Sequence, residues 1–95
     1  MEAALELIGG KWKGVALYHL MGGPVCFMAL KRQMGDVTPR VLTKQLRKLE
    51  ADGLVRREVF PVVTPKVEYR LTDKGESLRE IVMALRDWGI AYALP

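Results

Sequence analysis

The sequence is short of the side chains that build metal centres and disulfides. Cysteine and histidine each occur once, as Cys26 and His19, which excludes an internal disulfide and a zinc site made by this chain alone. No apolar run approaches the ~20 residues that span a bilayer, so we expect no membrane partner. The first residues lack the basic cluster of a secretory signal. Together these absences favour a reducing, cytoplasmic location.

Catalytic groups in useful combinations are missing as well. We find no nucleophile with a base, no paired carboxylates and no phosphate-binding loop. We therefore expect neither enzymatic activity nor a bound cofactor. The 95 residues are 49% hydrophobic, which predicts a single domain over residues 1–95 with more apolar surface than so small a body can bury. Such a surplus is typical of a chain that forms oligomers.

Acidic residues are scarce in the middle of the chain. Residues 31–57 contain eight Lys and Arg against three Asp and Glu, whereas the rest of the chain contains seven against eight. The net charge of +4 is therefore concentrated in one region. A local positive field of this kind favours nucleic acid as the partner.

The stretch from Thr38 to Gly53 carries the signals of one complete helix. Thr38 can accept a hydrogen bond from an amide of the first turn, and Pro39 suits the first helical position. Gly53 follows the last periodic residue, where helices usually end. One face of this helix is apolar and predicts contact with a core; it comprises Leu42, Leu46 and Leu49.

The opposite face of that helix carries cations without acids. No Asp or Glu occurs between position 39 and position 49. A solvated helix face ordinarily mixes charges of both signs, because like charges one turn apart repel each other. We therefore interpret this face as a recognition surface for a polyanion. Its residues are Arg40, Thr43, Lys44 and Arg47, with Lys48 beside them.

The remaining pattern supplies the other parts of a winged helix-turn-helix. Glycine and proline divide the chain into short segments, and two alternating apolar segments after the basic helix predict a hairpin. We expect an α+β, mainly helical fold, with N- and C-terminal dimerisation helices. The predicted parts are helices at 2–8 and 11–21, a brief strand at 25–27, the helix-turn-helix at about 27–52, the wing at about 54–72 and a C-terminal helix at about 73–93.

The last predicted helix has more apolar residues than one face can hold. One stripe is formed by Leu78, Ile81, Val82, Leu85, Trp88 and Tyr92. Because a monomer would leave part of this surface in water, we expect it to pair with a second copy, together with the N-terminal helix. The residues predicted at this homodimer interface are Leu5, Ile8, Leu85, Trp88 and Tyr92.

Several short motifs, taken together, resemble one family. They are Ile8-Gly9-Gly10-Lys11-Trp12, Gln45-Leu46-Arg47-Lys48-Leu49-Glu50, Asp52-Gly53-Leu54-Val55 and Pro65-Lys66-Val67-Glu68-Tyr69-Arg70-Leu71-Thr72. This set resembles the HxlR family of dimeric winged-helix transcription regulators, which is related to the MarR type. The resemblance implies that the helix from Pro39 enters the major groove of double-stranded DNA. It also implies that Pro65 and Lys66 lie on the wing, near the minor groove or the DNA backbone, and that the terminal helices pair two subunits.

Roles within the DNA-binding surface follow from position on the helix. Arg40 and Thr43 are predicted to reach base edges, because recognition helices read with their N-terminal residues. Thr38 and Pro39 lie at the same end. Arg32, in the preceding helix, either touches the DNA backbone or faces solvent. The residues predicted to contact phosphates are Lys44, Arg47 and Lys48. Phosphate contacts fix the position of a protein on DNA but do not distinguish between base sequences.

Some readings stay open at this point. A winged helix can also serve as a protein-interaction module without an operator. Cys26 is interpreted as a small buried residue rather than a redox switch, although many members of the resembled family carry a cysteine before the segment matching Leu5 to Trp12. The sequence identifies neither a small-molecule effector nor a redox effector. The large aromatic residues are assigned to packing rather than to an effector pocket; they are Trp12, Trp88 and Tyr92.

Overall fold

The chain folds into helices and a small three-stranded antiparallel sheet. A computed structural model describes residues 1–93. In chain order the elements are α1 (Glu2–Ile8), α2 (Lys13–Leu20), β1 (Val25–Cys26), α3 (Phe27–Met34), α4 (Pro39–Ala51), β2 (Val55–Phe60), β3 (Lys66–Leu71), α5 (Asp73–Glu76), α6 (Arg79–Trp88) and a π-helical segment, Gly89–Ala93. This is the α+β, mainly helical arrangement with a wing that the sequence predicted.

The core lies where α2, α3 and α4 meet the sheet. The three leucines of the α4 stripe are fully buried, as their spacing predicted; they are Leu42, Leu46 and Leu49. Each such side chain stabilises the fold by about 1.5–3 kcal/mol relative to an exposed one. The start of α2 is less buried than its middle and end. Trp12 and Val15 are only half-buried, and the buried residues are Ala16, Leu17 and Leu20, because α2 packs against α3, α4 and α6 at once.

Both ends of α4 form as the sequence predicted. The hydroxyl of Thr38 accepts a hydrogen bond from the amide of Val41 at 3.1 Å, and Pro39 occupies the first helical position. At the other end Gly53 adopts a φ of +75°. The amide of Leu54 then donates to the carbonyl of Leu49 at 2.9 Å. This is a Schellman motif, which stops the helix and satisfies its last carbonyls.

The sheet has the strand order β1-β3-β2. The wing, defined here as β2, β3 and residues 61–65 between them, follows α4 directly. Cross-strand partners project on the same face of a sheet. Arg57 pairs with Tyr69, so both lie on the inner face, which covers the core. Arg56 pairs with Arg70, and both lie on the outer face.

The end of α4 is attached to the start of α5. The hydroxyl of Thr72 donates to the carbonyl of Gly53, and the ammonium of Lys74 donates to the carbonyl of Asp52 at 2.7 Å. Gly75 lies so close to Leu54 that an added Cβ would come within 2.1 Å of its carbonyl oxygen. Only glycine fits this approach, which fixes the C-terminal helices against α4.

The prediction of one continuous helix over about 73–93 was wrong. The chain instead forms α5, α6 and the π-helical segment, with a break at Ser77 and Leu78. The hydroxyl of Ser77 donates to the carbonyl of Lys74, and the amide of Leu78 bonds to the carbonyl of Gly75 at 3.1 Å, three residues back instead of four. A tight turn of this kind interrupts a regular helix. The predicted start of α2 at position 11 was also wrong, since the helix begins at Lys13.

Candidate nucleic-acid interface

The outward face of α4 is a continuous cationic surface. Arg40, Lys44, Arg47 and Lys48 are exposed, and Thr43 among them is half-buried. Within residues 1–93 none of these four cations forms an ion pair. Their charges are therefore available to an external partner.

An open groove of about 600 Å³ runs along this face. It lies between α4 and the start of α3, so the helix-turn-helix geometry itself creates it. Its lining contains four cations and no acid. The sequence had selected all of the lining residues except Phe27; the full set is Phe27, Pro39, Arg40, Thr43, Lys44, Arg47 and Lys48.

The other residues predicted to bind DNA lie outside this groove. Thr38 precedes it as the cap of α4, and Arg32 is exposed on α3. Pro65 and Lys66 line a separate surface groove beside Cys26 at the edge of the wing. The α4 residues are thus brought together, whereas the wing residues form a second region.

The wing cations are engaged in a way that the sequence did not indicate. The ammonium of Lys66 lies 3.0 Å from a carboxylate oxygen of Glu68, which raises the pKa of Lys66 through a hydrogen bond and charge attraction. Arg70 lies 3.2 Å from a carboxylate oxygen of Glu58. Both pairs belong to the outer face of the wing. Arg56 is the remaining cation of this face among the described residues, so the face has a formal charge of +1, against four cations and no acid along the groove of α4.

A second cavity of about 430 Å³ lies between α4 and the inner face of the wing. In the sequence Arg57 contributes only to the excess of basic residues in 31–57. The alternation of β2 was the signal that could have placed Arg57 toward α4, because Val55, Arg57 and Val59 occupy one face. The cavity is lined by Thr43, Arg47, Glu50, Arg57 and Tyr69.

A family model described as HxlR-like helix-turn-helix matches residues 7–95. The chain belongs to this HxlR family. A relative, the HTH-type transcriptional regulator YdeP of Bacillus subtilis (strain 168), is 47% identical over 92 residues, covering 97% of this chain and 72% of the relative. The solved structure of the redox regulator HypR in its oxidized form has a TM-score of 0.92 at 49% identity, over 95% of this chain and 93% of that one.

A transcriptional regulator of the MarR family from Enterococcus faecalis V583 is also similar. Its structure has a TM-score of 0.85 at 41% identity and covers 97% of this chain and 84% of that one. The resemblance drawn from the sequence motifs is therefore confirmed, including the relation to the MarR type. This HxlR-family chain is a transcriptional regulator with a helix-turn-helix fold, and its relatives are regulators rather than enzymes.

The HxlR-family chain exposes a large apolar surface at its two ends. Leu5 of α1 is 55% exposed, Trp88 of α6 is 60% exposed and Tyr92 is 74% exposed. The predicted C-terminal stripe is mostly outside the core, since Val82 is its one buried member among the described residues. Of the residues predicted at a dimer interface, Leu85 is also exposed, whereas Ile8 is half-buried and packs against the core.

The only thiol and imidazole of the HxlR-family chain lie apart from the α4 groove. Cys26 is half-buried rather than buried, which corrects the prediction; it lies on β1, a two-residue edge strand. Burial lowers the pKa of His19, whose ring packs edge-on against Tyr18. Residues 1–93 contain no cluster of side chains that could hold a metal ion. None of the helices in this part of the chain has the length and apolar character that a bilayer crossing requires.

Proposed function

We propose that the chain is a homodimeric, sequence-specific DNA-binding regulator that inserts α4 into the major groove. The observation that carries this proposal is the α4 groove, which gathers four unpaired cations and no acid within the described residues. A duplex is a regular array of phosphates, and neutralising them releases condensed counterions. The groove also lies on a helix that follows a short turn, which is the geometry of a reading helix.

Residues at different positions along α4 are assigned to different parts of the DNA, either base edges or phosphates. Arg40 and Thr43 lie in the first two turns of the helix and are assigned to base edges. Arg40 has the fork of donors that suits guanine, and Thr43 can contact either a base acceptor or a thymine methyl group. Thr38 and Pro39 set the helix start against the DNA backbone. The residues assigned to phosphates are Lys44, Arg47 and Lys48.

The flanking contacts come from α3 and the wing. Arg32 is exposed on α3 and is assigned to the backbone. Pro65 stiffens the approach to β3, and Lys66 is placed beside the duplex. Lys66 is exposed and its partner Glu68 lies at the surface, so exchanging this carboxylate for a phosphate requires little free energy.

Pairing of two copies would complete the binding unit. The exposed apolar residues of α1, α6 and the π-helical segment are assigned to the dimer interface, with Ile8 at its edge; they are Leu5, Leu85, Trp88 and Tyr92. A two-fold dimer presents two α4 helices to half-sites about 34–36 Å apart, so the operator is pseudo-palindromic. A regulator of this kind acts where the chromosome lies, in the cytoplasm.

The rival function is a protein-interaction module that uses the same fold without an operator. Acids or exposed apolar side chains would be expected on α4 in that case, and its groove contains neither beyond Phe27. The test is selection of bound duplexes from a random pool at two salt concentrations, with the mass of the free protein measured in solution. Enrichment of a pseudo-palindrome by a protein of dimer mass is expected. Failure to retain any duplex at low salt would overturn the proposal.

A further inference from the structure

The cavity between α4 and the wing adjoins the α4 groove. Thr43 and Arg47 line both, so Arg47 stands on the wall that they share. The far wall is formed by Arg57 of β2 and Tyr69 of β3, which are cross-strand partners. A ligand held in this cavity would therefore be gripped by the recognition helix on one side and by the wing on the other.

The two arginines that line this cavity have no internal ionic partner. Among the described residues, neither Arg47 nor Arg57 forms an ion pair. The remaining wall supplies the hydroxyl groups of Thr43 and Tyr69, both able to donate a hydrogen bond. Paired arginines with hydroxyl donors are a common setting for a phosphate oxygen, because the planar guanidinium binds two oxygens at once.

The charge of the lining distinguishes between classes of phosphate. Glu50 is the single acid on the cavity wall, so two guanidinium groups and one carboxylate leave a formal charge of +1. A phosphodiester carries one negative charge and would neutralise this site. A terminal phosphate carries about −1.5 to −2 at neutral pH and would leave it negative. The cavity therefore suits a phosphate inside a nucleic-acid strand.

We propose that Arg47 and Arg57 form a clamp for one phosphodiester of the DNA backbone in each half-site, at the junction of α4 and the wing. This inference rests on the proposed function and adds Arg57 as a binding residue at a site outside the α4 groove. The clamp gives the wing a cation that is not already engaged by Glu58 or Glu68. It also holds the wing against the same DNA strand that α4 contacts, because α4 and the wing bind one phosphate together.

The experiment combines removal of the protein charge with removal of the phosphate charge. A duplex selected by the native chain is prepared with a single neutral methylphosphonate linkage at each backbone position in turn. Arg57→Gln should weaken binding about fivefold per half-site at 0.15 M salt on every sequence, and reduce the salt slope by about 0.9 per contact. One methylphosphonate position per half-site should weaken the native chain, and it should weaken Arg57→Gln less, because only Arg47 then contacts that phosphate.

Arg56→Gln is the matched control, since Arg56 is the neighbouring arginine on the opposite face of β2. It should keep the native methylphosphonate profile. Arg57→Lys should restore the salt slope but not the full affinity, because it keeps the charge and loses the fork. Arg57 is exposed, so its replacement leaves the core intact; a thermal unfolding curve for each variant verifies this.

Two outcomes would overturn the clamp. One is an identical salt slope and methylphosphonate profile for the native chain and Arg57→Gln. The other is that inorganic phosphate at constant ionic strength protects the native chain, but not Arg57→Gln, against thermal unfolding, while no methylphosphonate position changes DNA binding. The ligand of the two arginines would then be a free phosphate anion and not the DNA backbone. Neither outcome removes duplex binding by α4. A native chain that binds no duplex at all would instead contradict the proposed function.

Discussion

The outer face of α4 and the outer face of the wing are both rich in cations, yet they differ in how these cations are engaged. On α4 the four basic side chains have no ionic partner within residues 1–93. On the outer face of the wing Lys66 is paired with Glu68 and Arg70 with Glu58, which leaves Arg56 as the one cation there without an ionic partner among the described residues. A count of basic residues therefore does not locate a binding surface. The pairing of the charges does.

The register of the hairpin explains this difference. Glu58 and Glu68 lie directly opposite each other on β2 and β3. Like charges in this position destabilise a strand pair, and the cations beside them offset the repulsion. Lys66 and Arg70 are accordingly needed by the sheet itself. The basic residues of α4 have no such internal role, because the acids of that helix begin only at Glu50.

Reversal of one charge on α4 should reduce DNA affinity far more than the same reversal on the wing. Lys44→Glu should weaken DNA binding by about 30-fold per half-site at 0.15 M salt, because one phosphate contact is worth about fivefold there and the new carboxylate adds repulsion. Arg70→Glu, the same reversal on the wing, should cost less than about fivefold. Titration of a selected duplex measures both. Equal losses for the two variants would contradict a special role for the α4 face.

Removal of a base-reading side chain should change selectivity rather than general affinity. Arg40→Ala should lose about 1–3 kcal/mol of discrimination at one base pair of each half-site, because an arginine fork contacts guanine in two places. Lys44→Gln is the control and should weaken all sequences equally. Binding is measured to a panel of operator variants with each base pair changed. If Arg40→Ala keeps the base-pair preference of the native chain, Arg40 does not contact a base.

Loss of the cap of α4 should reduce the stability of the folded chain. Thr38→Ala removes the hydroxyl that receives the amide of Val41. We expect a loss of about 0.5–2 kcal/mol in the free energy of unfolding. Thr64→Ala, in the exposed loop of the wing, should have almost no effect. Urea unfolding measures both variants, and an unchanged midpoint for Thr38→Ala would mean that the cap contributes nothing.

Release of a wing cation should make the two faces more alike. Glu68→Gln frees Lys66 and removes the repulsion between Glu68 and Glu58. DNA affinity should therefore increase by up to about fivefold at 0.15 M salt, with a steeper salt dependence. Lys66→Gln should have the opposite effect. If Glu68→Gln binds no more tightly than the native chain, Lys66 does not lie near a phosphate.

Much of the fold was predictable because its signals are local. The cap, the leucine spacing and the terminal glycine of α4 are separated by a few residues each, and all three were confirmed. The break at Ser77 and Leu78 was not predicted, because the apolar spacing continues across it while the amide of Leu78 bonds three residues back, to Gly75. The exposure of Cys26 depends on which strand lies at the sheet edge. The individual DNA-binding and dimer residues stay predictions.

The sequence by itself determined the elements of the helix-turn-helix and the single sign of charge along α4, because both follow from the periodicity of one segment. Only the tertiary structure decided which cations are free. Ion pairs on the wing depend on the register of two strands, and the approach of Arg57 to Arg47 depends on how β2 lies beside α4. Distances between residues remote in the chain are set by packing, which no single segment encodes.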